Sequence, residues 1–161
     1  MDVLVVGDGN CSFAAALAAL LKAHRSEARL LATTFDSAAA LASKYPEAQG
    51  FVQRAQAAGA AVLHDVDALR LHEREWARKD SVHAPRRRFQ HVVFHHPHLG
   101  VEDFKQNMAL LGHFLHSASQ PGVLAPRGVV HVSLGGNQPA DWRLLQQARR
   151  HGLTLLLETV R

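Results

Sequence analysis

The chain has 161 residues, 47% of them hydrophobic and 20% charged, which fits one domain over residues 1–161 and excludes a disordered chain or a two-domain enzyme. The uncharged run from Gly9 to Leu21 is too short to cross a bilayer and Met1-Asp2 opens no basic leader, so no membrane is expected and an intracellular location, cytoplasm or nucleus, is. Eighteen Lys and Arg against 14 Asp and Glu leave a net charge of +4, which tolerates nucleic acid without requiring it, and the lone Cys11 excludes an internal disulfide or a cysteine-based zinc site.

Val3-Leu4-Val5-Val6, closed by Gly7, reads as a strand buried on both faces. Phe13 to His24, dense in Ala and Leu, reads as a helix capped by Ser12. A second strand follows over Arg29 to Phe35, then a cap at Asp36-Ser37, helices over Ala38 to Lys44 and Phe51 to Ala58, and a third strand over Ala60 to His64. Asp65 to Leu71 is a turn region, and Glu73 to Arg88 reads as a helix fragment followed by an exposed loop. Its cluster Arg78-Lys79 and Arg86-Arg87-Arg88 suits either RNA phosphate or plain solvent.

Phe89 to Phe94 is a fourth strand and Glu102 to Ser119 an amphipathic helix. Pro121 to Arg127 connects to a fifth strand over Gly128 to Leu134; Ala140 to His151 is a helix, and Leu153 to Leu157 a sixth strand. Strands alternating with helices at this spacing predict an α/β fold with a mostly parallel sheet covered on both faces.

In such a sheet ligands bind beyond the carboxyl ends of the strands, where strand order reverses between the first and fourth. Gly7 to Phe13 and His95 to Gly100 are the loops that reach that point. Gly7-Asp8-Gly9-Asn10-Cys11-Ser12 has a G-x-G-x-x pattern that brings backbone close to a ligand, although it also suits a plain strand-to-helix turn. Asp8 repels a pyrophosphate but favours S-adenosylmethionine, which carries an ammonium and a sulfonium, so a dinucleotide oxidoreductase is disfavoured. Asp36 ends the second strand, where a carboxylate accepts from both ribose hydroxyls or caps the next helix. Asp67 follows the third strand and suits either the adenine amino group or a turn, and Asp65 is an alternative to it.

Phe94-His95-His96-Pro97-His98-Leu99-Gly100 presents imidazoles on a stiff ledge. A metal site that also drew in His91 is disfavoured, because strand geometry sends His95 and His96 to opposite faces and the loop has no carboxylate. His113 and His116 read as half-exposed helix residues.

The stretch VLVVGDGNCSFAAAL from Val3, ATTFDS from Ala32, the KYP at Lys44, VDAL from Val66, FHHPHLG from Phe94, Asn107 with Leu110-Leu111, and VHVSL from Val130 resemble the large-subunit rRNA (uridine-N3)-methyltransferase-like family. The similarity covers almost the whole chain. It implies a Rossmann-like three-layer αβα sandwich of the class I methyltransferase type, using S-adenosyl-L-methionine and acting on RNA, with ribosomal RNA as the expected partner. By the same resemblance Gly7, Asp8, Gly9, Asn10, Ser12 and Phe13 border the methionine moiety, Asp36 and Asp67 face the nucleoside, and Pro97 and His98 form the active-site ledge. Cys11, Leu69 and His95-His96 stand where the family has an aromatic residue, a threonine and Asn-Phe.

Uridine must lose the proton of its imide nitrogen before methylation, which gives His98 the expected role of base or relay and His95 that of hydrogen-bonding a ring carbonyl. His98 also suits a purely structural role, and the whole chain a binding module without chemistry. Class I sheets usually finish with an antiparallel hairpin strand. Ending near a sixth strand would leave an edge open to a protein partner at the C-terminal side of the sheet.

Overall fold

The computed structural model describes residues 1–77, 88–101 and 103–158. The basic cluster that includes Arg78-Lys79 and Arg86-Arg87 lies outside these residues, apart from Arg88. The described chain forms β1 (Asp2–Val6), α1 (Ser12–Ala23), β2 (Arg29–Thr33), α2 (Ala38–Lys44), α3 (Ala48–Ala57), β3 (Ala61–Leu63), 3-10 segments over Ala68–Glu73 and Glu75–Ala77, β4 (Phe89–His95), α4 (Phe104–Ser119), β5 (Leu124–Ser133), α5 (Gln138–Asp141) and α6 (Leu144–Arg150). The sheet has five strands in the order β3-β2-β1-β4-β5, and every pairing is parallel. This is the Rossmann-like α/β arrangement expected, with order reversing between β1 and β4.

All five residues of β1 are buried, as its unbroken apolar run requires of a central parallel strand. Alternate side chains enter different layers. Leu4 and Val6 join Val92, Phe94, Leu111 and Phe114 on the side of α4, where Phe94 meets Phe114 edge to face at 4.8 Å. Val3 and Val5 join Ala15, Ala18, Leu30 and Ala55 under α1 and α3. Small alanines on α1 let that helix lie close to the strands.

Several sequence expectations are corrected. Leu153 to Leu157 is not a strand, and Leu156 and Leu157 are more than 70% exposed; an apolar run becomes a strand only where it finds an edge to pair with. The helix expected over Ala140 to His151 is two pieces broken at Arg143, whose φ of 53° is left-handed. β5 begins at Leu124, with a bulge opposite Phe89–His91 that absorbs Pro126 and the left-handed Arg127. The fourth helix starts at Phe104 behind the capping carboxylate of Asp103, and the helix expected from Phe51 starts at Ala48.

Candidate functional site

The loop after β1 is organised by one carboxylate. Asp8 is 7% exposed, and its Oδ2 accepts from the backbone N–H of Ala14 at 2.6 Å, while its own N–H donates to Thr33 of β2 at 3.3 Å. Ser12, the expected cap, is instead the first helical residue and donates its N–H to Asn10 Oδ1 at 3.1 Å. The N-cap position belongs to Cys11 in the left-handed region at φ 64°, and its side chain makes no cap bond. Asp8 reaches the helix start from six residues upstream of Ala14 because Gly7 turns the chain at φ 62°; a Cβ there would lie 2.6 Å from the Phe94 ring.

Burial pushes the Asp8 carboxyl above its usual range, opposed chiefly by the amides of Ala14 and Phe13 and also by His95. The positive end of α1 is thus matched from within the chain. A phosphate brought to the same amides would meet a carboxylate. Burial, with Asp8 nearby, also pushes the Cys11 thiol up to about 11, leaving it protonated and inert at neutral pH.

At the ends of β2 and β3 the other two acids take different roles. Ser37, not Asp36, caps α2 by accepting from Ala40 N–H at 3.2 Å. Asp36 is half-buried and pairs with Lys44 at 2.9 Å. Asp67 caps the first 3-10 segment, accepting from Leu69 N–H at 2.8 Å. Asp65 N–H donates to the Asp36 carbonyl at 3.3 Å, Val66 N–H donates to Thr34 at 3.0 Å, and Thr34 Oγ1 lies 2.8 Å from His64 Nδ1. Asp36 and Asp67 therefore stand on two strand ends stitched side by side.

Beyond β4, His95 stacks on Phe13 with ring centroids 4.7 Å apart and planes inclined by 16°, and its Nδ1 lies 3.0 Å from Ser133 Oγ of β5. Burial, with His96 alongside, holds the His95 imidazole below its ordinary pKa, against the opposite pull of Asp8. His96 is not thrown to the far face as strand geometry alone suggested. It sits past the strand at φ 53°, its N–H donates to Ser133 O at 3.1 Å, and its ring lies 4.3 Å from that of His95. A left-handed histidine held by that hydrogen bond is local strain at the tip of the crevice.

Pro97 is buried, whereas His98 is exposed and its Nδ1 accepts from Gly100 N–H at 2.9 Å. The ledge is clamped by a residue outside the sequence-predicted set. Asn107, 3% exposed on α4, accepts from Leu99 N–H at 3.1 Å and donates to the carbonyls of Val101 at 2.8 Å and Asp103 at 3.0 Å. In the sequence it stands only as a mark of the family resemblance and as an amide on the apolar face of the helix, three and four residues before Leu110 and Leu111. Ser133 was also missed as a site residue: the sequence shows it only within the VHVSL stretch, and strand pairing brings it to His95.

Gly7, Asp8, Phe13 and His95 thus meet at the reversal point, with Gly9, Asn10 and Ser12 in the same loop and Pro97 and His98 on the ledge. Asp36 and Asp67 lie on the β2–β3 side. A hollow of about 490 Å³ between α1 and the turn before β3 is lined by alanines, Leu21, Leu30, Lys22 and Arg25. It lies toward the other end of the strands and contains none of these residues.

The chain is 32% identical over 96% of its length to Heavy metal-associated isoprenylated plant protein 41 of Arabidopsis thaliana, and 28% over 96% to an uncharacterized protein of the same plant. Ferredoxin-fold anticodon-binding domain-containing protein 1 of Homo sapiens is 33% identical over 95%. The chain spans 29%, 73% and 24% of these proteins' own lengths. The family model described as BMT5-like, rRNA (uridine-N3-)-methyltransferase BTM5-like, matches residues 4–160. With that model running from β1 past α6, through both loops of the crevice, the chain belongs to the BMT5-like rRNA (uridine-N3-)-methyltransferase family.

Proposed function

We propose that residues 1–161 act as one S-adenosylmethionine-dependent methyltransferase domain on RNA, with uridine N3 of ribosomal RNA as the acceptor, working in the nucleolus or cytoplasm. The observation that supports this most is the Phe13–His95 stack, which joins the loop after β1 to the imidazole ledge after β4. The donor set suits a cationic nucleoside: the helix N-terminus already carries Asp8, and carboxylates stand at the ends of β2 and β3. Gly7, Asp8, Gly9, Asn10, Ser12, Phe13 and Pro97 would border the methionine moiety. Asp36, sharing its charge with Lys44, would take the ribose hydroxyls, and Asp67 the adenine amino group. When bound, S-adenosylmethionine supplies an electrophilic methyl group on a sulfonium.

The rest of the chemistry falls to the protein's own groups. His95, held neutral, donates Nδ1–H to Ser133 and keeps the Nε2 lone pair for the uridine N3 proton. His95 would take the N3 proton of uridine onto Nε2 as N3 accepts the methyl group, and Asp8 would favour the resulting imidazolium. His98 accepts from Gly100 on Nδ1, carries its proton on Nε2 and donates to a ring carbonyl. This exchanges the roles that the sequence suggested for the two histidines. Among the described residues β5 is an edge strand and Leu155, Leu156 and Leu157 are exposed, which supports a protein partner at the C-terminal side of the sheet.

The test is transfer of isotope-labelled methyl groups to RNA, with the product nucleoside identified by mass spectrometry. Formation of 3-methyluridine, lost in His95→Gln and weakened in His98→Ala, is the expected result. Donor binding in calorimetry without transfer to any RNA would make the domain a binding module. Unchanged turnover in both variants would remove the histidines from the chemistry.

A further inference from the structure

Both faces of a parallel sheet are normally covered and aliphatic. Here one half of one face departs from that rule. Val3, Val5, Leu30 and Ala60 lie under α1 and α3, with Val93 half-buried against the same cluster, but Val129 of β5 belongs to no core cluster among the described residues, and His131 is exposed. The register pairs His91 with Val129, Val93 with His131 and His95 with Ser133. These six residues therefore share the face turned away from α4, in three rows that end at the candidate site.

Their chemistry suits neither a buried core nor bare solvent. His91 Nδ1 and His131 Nε2 lie 2.9 Å apart in an exposed contact, with ring centroids 5.1 Å apart. One ring nitrogen on each remains for other partners. At the crevice end the series continues through His95 onto Phe13 at 4.7 Å and His96 at 4.3 Å. From His91 to His95 the strand runs about 13 Å, a distance over which flat rings are interleaved with Val93 and Val129.

We propose that this face of β4 and β5 is a track for single-stranded RNA, on which nucleotides flanking the target stack against His91 and His131 while the target base enters the crevice beside His95. The assignment rests on the methyltransferase reading and adds where the substrate strand lies. Aromatic and imidazole planes on an open sheet face are a recurrent way to hold unpaired bases. Imidazoles also offer donors and acceptors to base edges, and the chain's net charge of +4 has the sign a polyanion favours. A protein partner covering the same face would call for aliphatic side chains at positions 91 and 131. The residues at those two positions are polar and ring-shaped, and the same strands carry on to His95 and Ser133.

The test uses a fluorescently labelled, uridine-containing single-stranded oligoribonucleotide titrated with the wild-type chain, with His91→Ala/His131→Ala and with His91→Phe/His131→Phe. Thermal unfolding first establishes that each variant is folded. The alanine pair is expected to weaken RNA binding by about tenfold or more, the phenylalanine pair to retain most of it, and calorimetric binding of S-adenosylmethionine to be unchanged in both. Equal RNA affinity in the alanine pair would overturn the track, as would failure of the wild-type chain to bind the oligonucleotide. So would loss of a dimer in sedimentation without loss of RNA affinity, since the face would then belong to a second copy. Loss of RNA binding in the alanine pair, in a chain that binds no methyl donor, would keep the track and remove the methyltransferase reading.

Discussion

The two loops that meet at the crevice are held in different ways. Gly7 to Phe13 is fixed largely from within: Asp8 caps the helix that follows it and Asn10 closes a local turn onto Ser12 N–H, with outside ties at Asp8 N–H to Thr33, Asn10 to Glu47 and Phe13 to His95. His95 to Val101 is fixed from outside, by Ser133 of β5, Phe13 of α1 and Asn107 of α4. A loop that carries its own ties keeps its shape when distant contacts change. A loop clamped by three other elements transmits any disturbance of them to the residues it presents.

Removing the clamps should expose that difference. Asn107→Ala leaves Leu99 N–H and the Val101 carbonyl without their partner, and a loss of about 3 kcal/mol in denaturant-derived stability is expected. Turnover should fall further than donor affinity, since the ledge moves while the first loop stays. Asp8→Ala is expected to cost about 2 kcal/mol by uncapping α1. Its signature is the reverse, with donor affinity falling at least as far as turnover. If the two variants gave the same ratio of affinity loss to turnover loss, the loops would not be independent.

Asp36→Asn tests the β2–β3 side. It keeps the shape, releases Lys44 and should weaken donor binding about tenfold in calorimetry, with little change in the unfolding midpoint because the ion pair is exposed. The smallest effect concerns pH. His95, His131 and His151 are all held below the ordinary imidazole value by burial and by neighbouring histidines, so the unfolded chain binds protons more readily than the folded one as pH drops through about 6.5. Thermal midpoints should therefore fall from pH 7 to pH 5. Asp8, with its pKa raised, acts in the opposite sense, at lower pH.

The same division decides what could be read from the chain. The parallel sheet, its reversal point and the turn at Gly7 follow from local patterns, because buried strands and glycine turns are written in consecutive residues. The Asp8 cap was not legible, since a carboxylate six residues before its amide partner matches no local capping pattern. Nor was the Asn107 clamp, which reaches back four to eight residues in no standard capping pattern, or the Ser133 contact and the left-handed His96, which depend on a strand distant in sequence. Leu153 to Leu157 failed in the opposite direction: its composition is that of a strand, but pairing decides whether a strand exists.

The central claim is that the crevice between the ends of β1 and β4 holds a methyl donor against the imidazole ledge. Backbone and side-chain NMR shifts of the chain titrated with S-adenosylhomocysteine test it most directly. The account predicts saturable shifts concentrated at Gly7 to Phe13, Asp36, Asp67 and His95 to His98. Shifts confined to other surfaces, or none at millimolar ligand, would contradict it.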